Sequence, residues 1–413
     1  MRAEKKVSQR LPKKRKSGSP SKSKDSEILE LTSESWANLG TTVAHAKGKI
    51  FFVKGGIPEE RLEVSITKEN SKIGWATVSK VLKASPERIS VDCKSFPDCG
   101  GCSYRHISYE EELRVKSRLL ADTFLRIGSF SNQDLAEIKI LSGPPEKYRN
   151  TAQIKLEKVG SQIIAGFYKE NTNILVPFPE EGCRILPSEM NDWIQRKVTD
   201  RKNSPKGLEW KLRMDGEEVT EYEEDSVRIG PLLSEKFTWQ IPSGGFTQVN
   251  RFLLEPWLEA IRSWVVNPKE TILELYCGSG LISLSVAPKA KEVFGFEISK
   301  SSVDTARHNA STAGLGNVTF EAMDLEKKEP DRNIAKRAST WIVNPPRAGL
   351  SKKVLDYICS TRPKSLIYSS CNHTTLARDA KVLKETGFRL EQVILVDFFP
   401  RTQHFEVLTL FSS

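Results

Sequence analysis

The chain has 413 residues, of which 38% are hydrophobic and 28% charged, and a formal net charge of +10. That length accommodates roughly two or three domains, each with its own core. No apolar run reaches the ~18 residues of a membrane span, and the N-terminus has charge without the apolar stretch of a secretory leader, so we expect neither a membrane nor an exported protein.

Residues 1–24 carry ten Lys or Arg against one acid, so the tail holds +9 of the +10. Segment 1–26 is therefore expected to be a disordered basic tail that attracts phosphate without reading sequence. Over 27–88, the runs Ile50-Phe51-Phe52-Val53, Leu62-Glu63-Val64-Ser65-Ile66 and Trp75-Ala76-Thr77-Val78 are separated by glycine turns. This pattern predicts a small β-barrel of OB type, an architecture that often binds nucleic acid.

The central segment, 89–240, opens with Cys93, Cys99 and Cys102 around Gly100-Gly101, and Cys183 is the candidate fourth ligand. Clustered cysteines read as a metal site in a reducing, cytoplasmic compartment, and the spacing fits zinc or an iron–sulfur cluster. A helix is expected over 109–127, with Leu119, Leu120 and Phe124 on an apolar face that can pack on the catalytic domain. The rest of the segment reads as mixed β, with Ile154-Lys155-Leu156 and Ile163-Ile164-Ala165-Gly166-Phe167 as strands.

Segment 241–413 alternates strand and helix. Strands are expected at 271–275, 293–296, 318–320, 341–343 and 365–369, and helices at 281–287, 301–313, 350–359 and 374–386. Two closing strands, 388–398 and 405–411, have no helix between them. The pattern predicts a Rossmann-like α/β sheet, doubly wound, with an antiparallel end. Leu275-Tyr276-Cys277-Gly278-Ser279-Gly280 runs from a strand into a Gly-x-Gly turn, and Glu297 follows Gly278 by nineteen residues. That spacing puts a carboxylate within reach of two ribose hydroxyls. The third glycine of a dinucleotide fingerprint is missing, which favours S-adenosylmethionine over NAD.

Cys371 follows the strand at 365–369, on the edge where ligands bind in such sheets. The helix after it is expected to lower the thiol pKa through its N-terminus. Glu406 lies in an apolar run, where burial raises a carboxyl pKa toward neutrality. A thiolate that adds to C6 of uracil makes C5 nucleophilic, and a base must then remove the C5 proton. Cys371 and Glu406 fit those two roles, and together with the cofactor turn they point to methylation of a ring carbon.

The chain resembles the RNA (uracil-5-)-methyltransferase family, in its iron–sulfur type acting on 23S ribosomal RNA. The resemblance runs from about residue 30 to the end. It rests on Phe246-Thr247-Gln248-Val249-Asn250, Leu275–Gly280, Asn344-Pro345-Pro346-Arg347, Ser370-Cys371-Asn372 and Phe399-Pro400-Arg401-Thr402-Gln403-His404-Phe405-Glu406. It implies that Gln248, Tyr276 and Glu297 contact S-adenosylmethionine, and that Gly278, Gly280 and Asn344 belong to the same site. It further implies that Cys371 is the nucleophile, Glu406 the base, the cysteines a [4Fe-4S] site and the barrel a TRAM domain. Asn344 stands where the family usually has Asp, and His373 where it usually has Pro. The resulting expectation is a monomer that makes 5-methyluridine in 23S rRNA. An RNA-binding or ribosome-assembly protein with weak or lost activity, and a tRNA uracil-5 methyltransferase, are the alternatives.

Overall fold

The computed structural model describes residues 27–135, 137–160, 162–200, 207–222, 228–234, 237–242, 248–267 and 269–413. The basic tail and the Phe246-Thr247 part of the resemblance lie outside them. Among the described residues no helix is long and apolar enough to cross a membrane.

Six strands come first: β1 (Ile28–Thr32), β2 (Ser35–Ala37), β3 (Thr41–Ala46), β4 (Lys49–Lys54), β5 (Arg61–Glu69) and β6 (Ile73–Lys83). They form one sheet in the order β1-β5-β6-β4-β3-β2, antiparallel except for the β4–β6 pair. Alternation sends Phe51, Val53, Leu62 and Val64 to one buried face.

Helix α1 (Tyr109–Arg126) is started by Ser108, whose hydroxyl accepts from the Glu111 N–H at 3.1 Å, and three glutamates in its first turn suit the helix dipole. Val115 and Leu119 pack with Tyr104 and Ile107. Leu120 and Phe124 instead enter the core of the C-terminal sheet. Strand β7 (Ile138–Leu141) follows.

The central layer is built from β8 (Thr151–Val159), β9 (Gln162–Tyr168), β10 (Leu175–Pro177), α2 (Ser188–Thr199), β11 (Glu209–Asp215) and β12 (Glu218–Glu221). Its sheet runs β10-β9-β8-β11-β12 and packs Ile154 and Leu212 against Met190 and Ile194 of α2. A hairpin, β13 (Arg228–Ser234) with β14 (Phe237–Ile241), leads into α3 (Leu254–Trp264).

The last unit contains β15 (Thr271–Leu275), α4 (Leu281–Val286), β16 (Glu292–Glu297), α5 (Lys300–Thr312), β17 (Val318–Ala322) and α6 (Arg332–Arg337). It continues with β18 (Ala338–Val343), α7 (Lys352–Thr361), β19 (Ser365–Ser370), α8 (His373–Glu385), β20 (Arg389–Val396) and β21 (Glu406–Ser412). The eight-stranded order is β17-β16-β15-β18-β19-β21-β20-β7. Strands β15 to β19 pair in parallel, and β21 is antiparallel to both neighbours. All five residues of β15 are buried, as befits a central parallel strand covered on both faces. Helices α1, α6, α7 and α8 cover one face and α3, α4 and α5 the other.

One placement differs from the sequence reading. Strand β7, which falls in the expected central segment, pairs in parallel with β20 and forms the edge of the C-terminal sheet.

Candidate functional site

The sheet topology brings the site together. Tyr276, Asn344 and Cys371 each follow the last residue of a parallel strand (β15, β18 and β19), and Glu297 is the last residue of β16. Glu406 begins β21, which runs the opposite way beside β19, so it arrives at the same edge. These five residues, with Gln248 and Gly278, line one cavity of about 690 Å³.

At one end is the β15–α4 turn. Tyr276 takes a left-handed backbone (φ 63°), as do Gly278 (φ 53°) and Gly280 (φ 86°). A Cβ on Gly278 would project into open space, so the backbone there is accessible to a ligand. Gly280 has a different job: it precedes α4, and a Cβ would stand 2.7 Å from Phe320. It is absent from the cavity wall, where it was expected among the ligand contacts, because the chain has already turned into the helix. Glu297 accepts from the N–H of Gly278 at 3.2 Å and of Ser299 at 2.9 Å, which fixes its carboxylate at the turn. Trp239 closes the turn from above, its indole N–H donating to the Ser279 carbonyl at 3.2 Å.

At the other end, Glu406 is 3% exposed and its Oε2 is buried without a hydrogen-bond partner. Burial pushes its carboxyl up to about 7, against the opposing pull of Gln248, Ser369 and Arg347. The Cys371 thiol moves opposite to expectation. Burial raises it, the nearby Glu406 carboxylate raises it further, and a hydrogen bond and the charge of Arg347 only partly oppose them. Asn372 caps the helix that follows with its own carboxamide oxygen, accepting from Thr374 N–H at 3.1 Å. The Asn372 amide also donates to the Arg347 carbonyl at 3.0 Å, tying the two loops of the site together. Sequence reasoning missed Arg347 and Ser369 as neighbours of Cys371 and Glu406. Arg347 was visible only as the end of the Asn344-Pro345-Pro346 motif.

The histidines near the site are packed. His404 is held down by burial, and its ring meets Phe399 edge-on at 6.1 Å. His373 stacks on Phe405 at 4.8 Å, and its Nε2 lies 3.3 Å from Asn38 Oδ1. The residue standing in for the usual proline therefore joins the N-terminal sheet to the loop before Glu406.

The four clustered cysteines are free thiols, all partly buried. Burial pushes Cys102 up to about 11 and Cys183 up to about 12, and each of the two is raised further by the neighbouring thiols. They therefore share one neighbourhood. Gly101 N–H points at Cys99 Sγ at 3.4 Å, and Arg105, 2% exposed, hydrogen-bonds to Cys102. Both features suit thiolate ligands. Among the described residues, however, no three His, Cys, Asp or Glu side chains stand together as ligands of one metal ion.

Comparison with known proteins adds four findings. A family model described as tRNA (Uracil-5-)-methyltransferase matches residues 213–413. A Leptospira interrogans protein named "Uncharacterized RNA methyltransferase" is 44% identical over 386 residues, covering 92% of this chain and 93% of that protein. A Bacillus cereus protein of the same name is 29% identical over 450 residues, covering 94% of this chain and 96% of that protein. The crystal structure of Pyrococcus abyssi tRNA (uracil-54, C5)-methyltransferase in complex with S-adenosyl-L-homocysteine superposes with a TM-score of 0.70 at 20% identity. It covers 92% of this chain and 99% of that one, and the likeness is one of fold. A tRNA-named enzyme thus spans the N-terminal and central parts as well.

Proposed function

The chain belongs to the RNA (uracil-5-)-methyltransferase family, and from that premise we propose that it methylates C5 of a uridine in 23S rRNA through a covalent adduct with Cys371. The observation that carries the reading is that Cys371, Glu406 and the Gly278–Glu297 turn line one cavity. Gln248, Tyr276, Gly278, Glu297 and Asn344 hold the donor, S-adenosylmethionine, which supplies an electrophilic methyl group when bound.

The Cys371 thiolate adds to C6, and the C5–C6 electron pair becomes available at C5 for alkylation. With C5 methylated, Glu406 takes the C5 proton. The pair left by that proton re-forms the C5–C6 double bond, and the C6–S pair returns to Cys371. A carboxyl near pH 7 can hold that proton and release it to water. Arg347 steadies the thiolate. Asn344 offers a hydrogen bond without the charge an aspartate would bring. The uracil must leave its stack to reach the cavity.

For the cysteines we favour a [4Fe-4S] cluster held by Cys93, Cys99, Cys102 and Cys183 over zinc. The choice rests on the resemblance to the iron–sulfur type, and Cys102 and Cys183 each feel the neighbouring thiols of the group. The N-terminal sheet fits the role of a TRAM-type RNA-binding barrel.

The test is incubation with labelled S-adenosylmethionine and unmodified transcripts of 23S rRNA and tRNA, followed by nucleoside analysis. 5-Methyluridine in the ribosomal transcript alone is the expected result. The second reading, a tRNA substrate, draws on the extent of the Pyrococcus abyssi likeness and predicts the reverse. Cofactor-bound protein that methylates neither would support an RNA-binding protein without activity. Iron and sulfide assay of anaerobically purified protein decides the metal; stoichiometric zinc would overturn the cluster.

A further inference from the structure

We propose that Lys116, a buried lysine of α1 outside the cavity, is a positioning residue for Glu406 and so governs the last chemical step, release of the covalent RNA adduct. The proposal rests on the reading of Glu406 as the base.

Glu406 is reached by a tight excursion of the chain. Strand β20 ends at Val396, residues 397–405 leave the sheet, and β21 re-enters at Glu406 directly opposite Val396. Lys116 holds the base of that excursion. Its Nζ donates to Asp397 Oδ1 at 2.8 Å, to Glu112 Oε1 at 2.7 Å and to the Phe399 carbonyl at 3.3 Å. All three charged side chains are fully buried. The other oxygen of Asp397 accepts from Tyr109 OH at 2.9 Å, and Glu112 Oε1 also accepts from the Arg401 N–H at 2.7 Å. The Arg401 guanidinium stands 3.8 Å from the second Glu112 oxygen. One ammonium thus ties two carboxylates from different elements, and through them both limbs of the loop, to one helix.

Burying three charges is a poor route to stability when apolar side chains could fill the space. Fixing a loop in one place is what such a network does well, and an error of about 1 Å in a reacting group can cost two orders of magnitude in rate. Cys371 is carried by β19 and its loop, which make no contact with this network through the bonds above. Loss of Lys116 should therefore spare thiolate addition and methylation. It should slow the step in which the C5–H bond breaks, the proton goes to the Glu406 carboxylate, the pair left behind forms C5=C6, and the C6–S pair returns to sulfur.

The test is a denaturing gel of protein incubated with S-adenosylmethionine and an unmodified 23S rRNA transcript, read beside kcat and KM. Lys116→Met should lower kcat at least tenfold, leave KM for RNA within threefold, and accumulate a methylated covalent protein–RNA band. Tyr109→Phe, which removes one hydrogen bond and keeps the charges, should show a smaller effect of the same kind. Phe124→Leu, on the same helix but outside the network, should lower the melting temperature without the band. Turnover lost without the band in both network variants, or wild-type kcat in both, would overturn the proposal. Glu406→Gln is the reference: if it traps no adduct, the assignment of the base fails, and the role of Lys116 with it.

Discussion

Cys371 and Glu406 meet in a cavity where each ionisation has a cost. The thiol is raised by burial and by the carboxylate, and the carboxyl is raised to about 7 by burial. A base with that value is active only once ionised, so kcat should rise as pH increases from about 6 to 8, with a midpoint near 7. A profile flat across that range would mean that another group takes the proton. Cys371→Ala should abolish 5-methyluridine formation while RNA binding by filter assay stays within threefold of wild type; residual turnover above a few per cent would rule it out as nucleophile. The two residue types were readable from sequence because each is out of place, a cysteine at a strand end and a glutamate in an apolar strand. Their ionisation was half readable. Burial of Glu406 follows from its neighbours in sequence, but the rise at Cys371 depends on burial by the assembled site and on Glu406 across the cavity.

At the scale of elements, the parallel strands and their helices stand within a few residues of the expected ranges, because long apolar runs and glycine turns are local signals. Strand β7 was not assigned to its sheet for the opposite reason. Ile-Lys-Ile-Leu is a strand in any context, and only its pairing with Val393–Val396, over two hundred and fifty residues away, decides where it goes. The cysteine segment shows the same limit: its spacing raised the expectation of a metal site but gave no sign of the Arg105 pairs with Asp92 at 2.9 Å and Glu146 at 3.1 Å. Helix α8 offers a sharp test of local design. Asn372 both caps it and holds the Arg347 carbonyl. Asn372→Ala should cost about 1 kcal/mol of stability in urea unfolding. It should also slow adduct formation, since the loop that steadies the thiolate is released. Lost stability with adduct formation unchanged would show that the cap is only structural.

Across the whole molecule, the site is assembled by burying ionisable groups, and this makes stability depend on pH. Glu274, beside the cofactor turn, is raised by burial to about 8, with Ser283 opposing and Glu297 adding, and Glu406 is raised to about 7. Both are neutral in the folded protein at pH 6 and ionised in the unfolded chain, so the folded state binds more protons and stability falls as pH rises from the unfolded value of about 4.5 until each folded value is passed. Buried His106 and His373, both lowered to about 4 chiefly by burial, act in the opposite sense, adding stability as pH rises from about 4 to 6.5. Between about pH 4.5 and 6.5 the two effects offset each other, and above 6.5, where the histidines no longer contribute, the stability of the ligand-free protein should fall. At about 1.4 kcal/mol per pH unit for each titrating proton, Glu274 and Glu406 together should remove roughly 4 kcal/mol between pH 6 and 8. Urea unfolding at the two pH values measures this directly. Glu274→Gln, which keeps the shape and a hydrogen-bonding end facing Ser283, should lose more than half of the decline. An unchanged slope in that variant would mean that Glu274 is already ionised in the folded protein, and that the cofactor turn carries a buried negative charge at neutral pH.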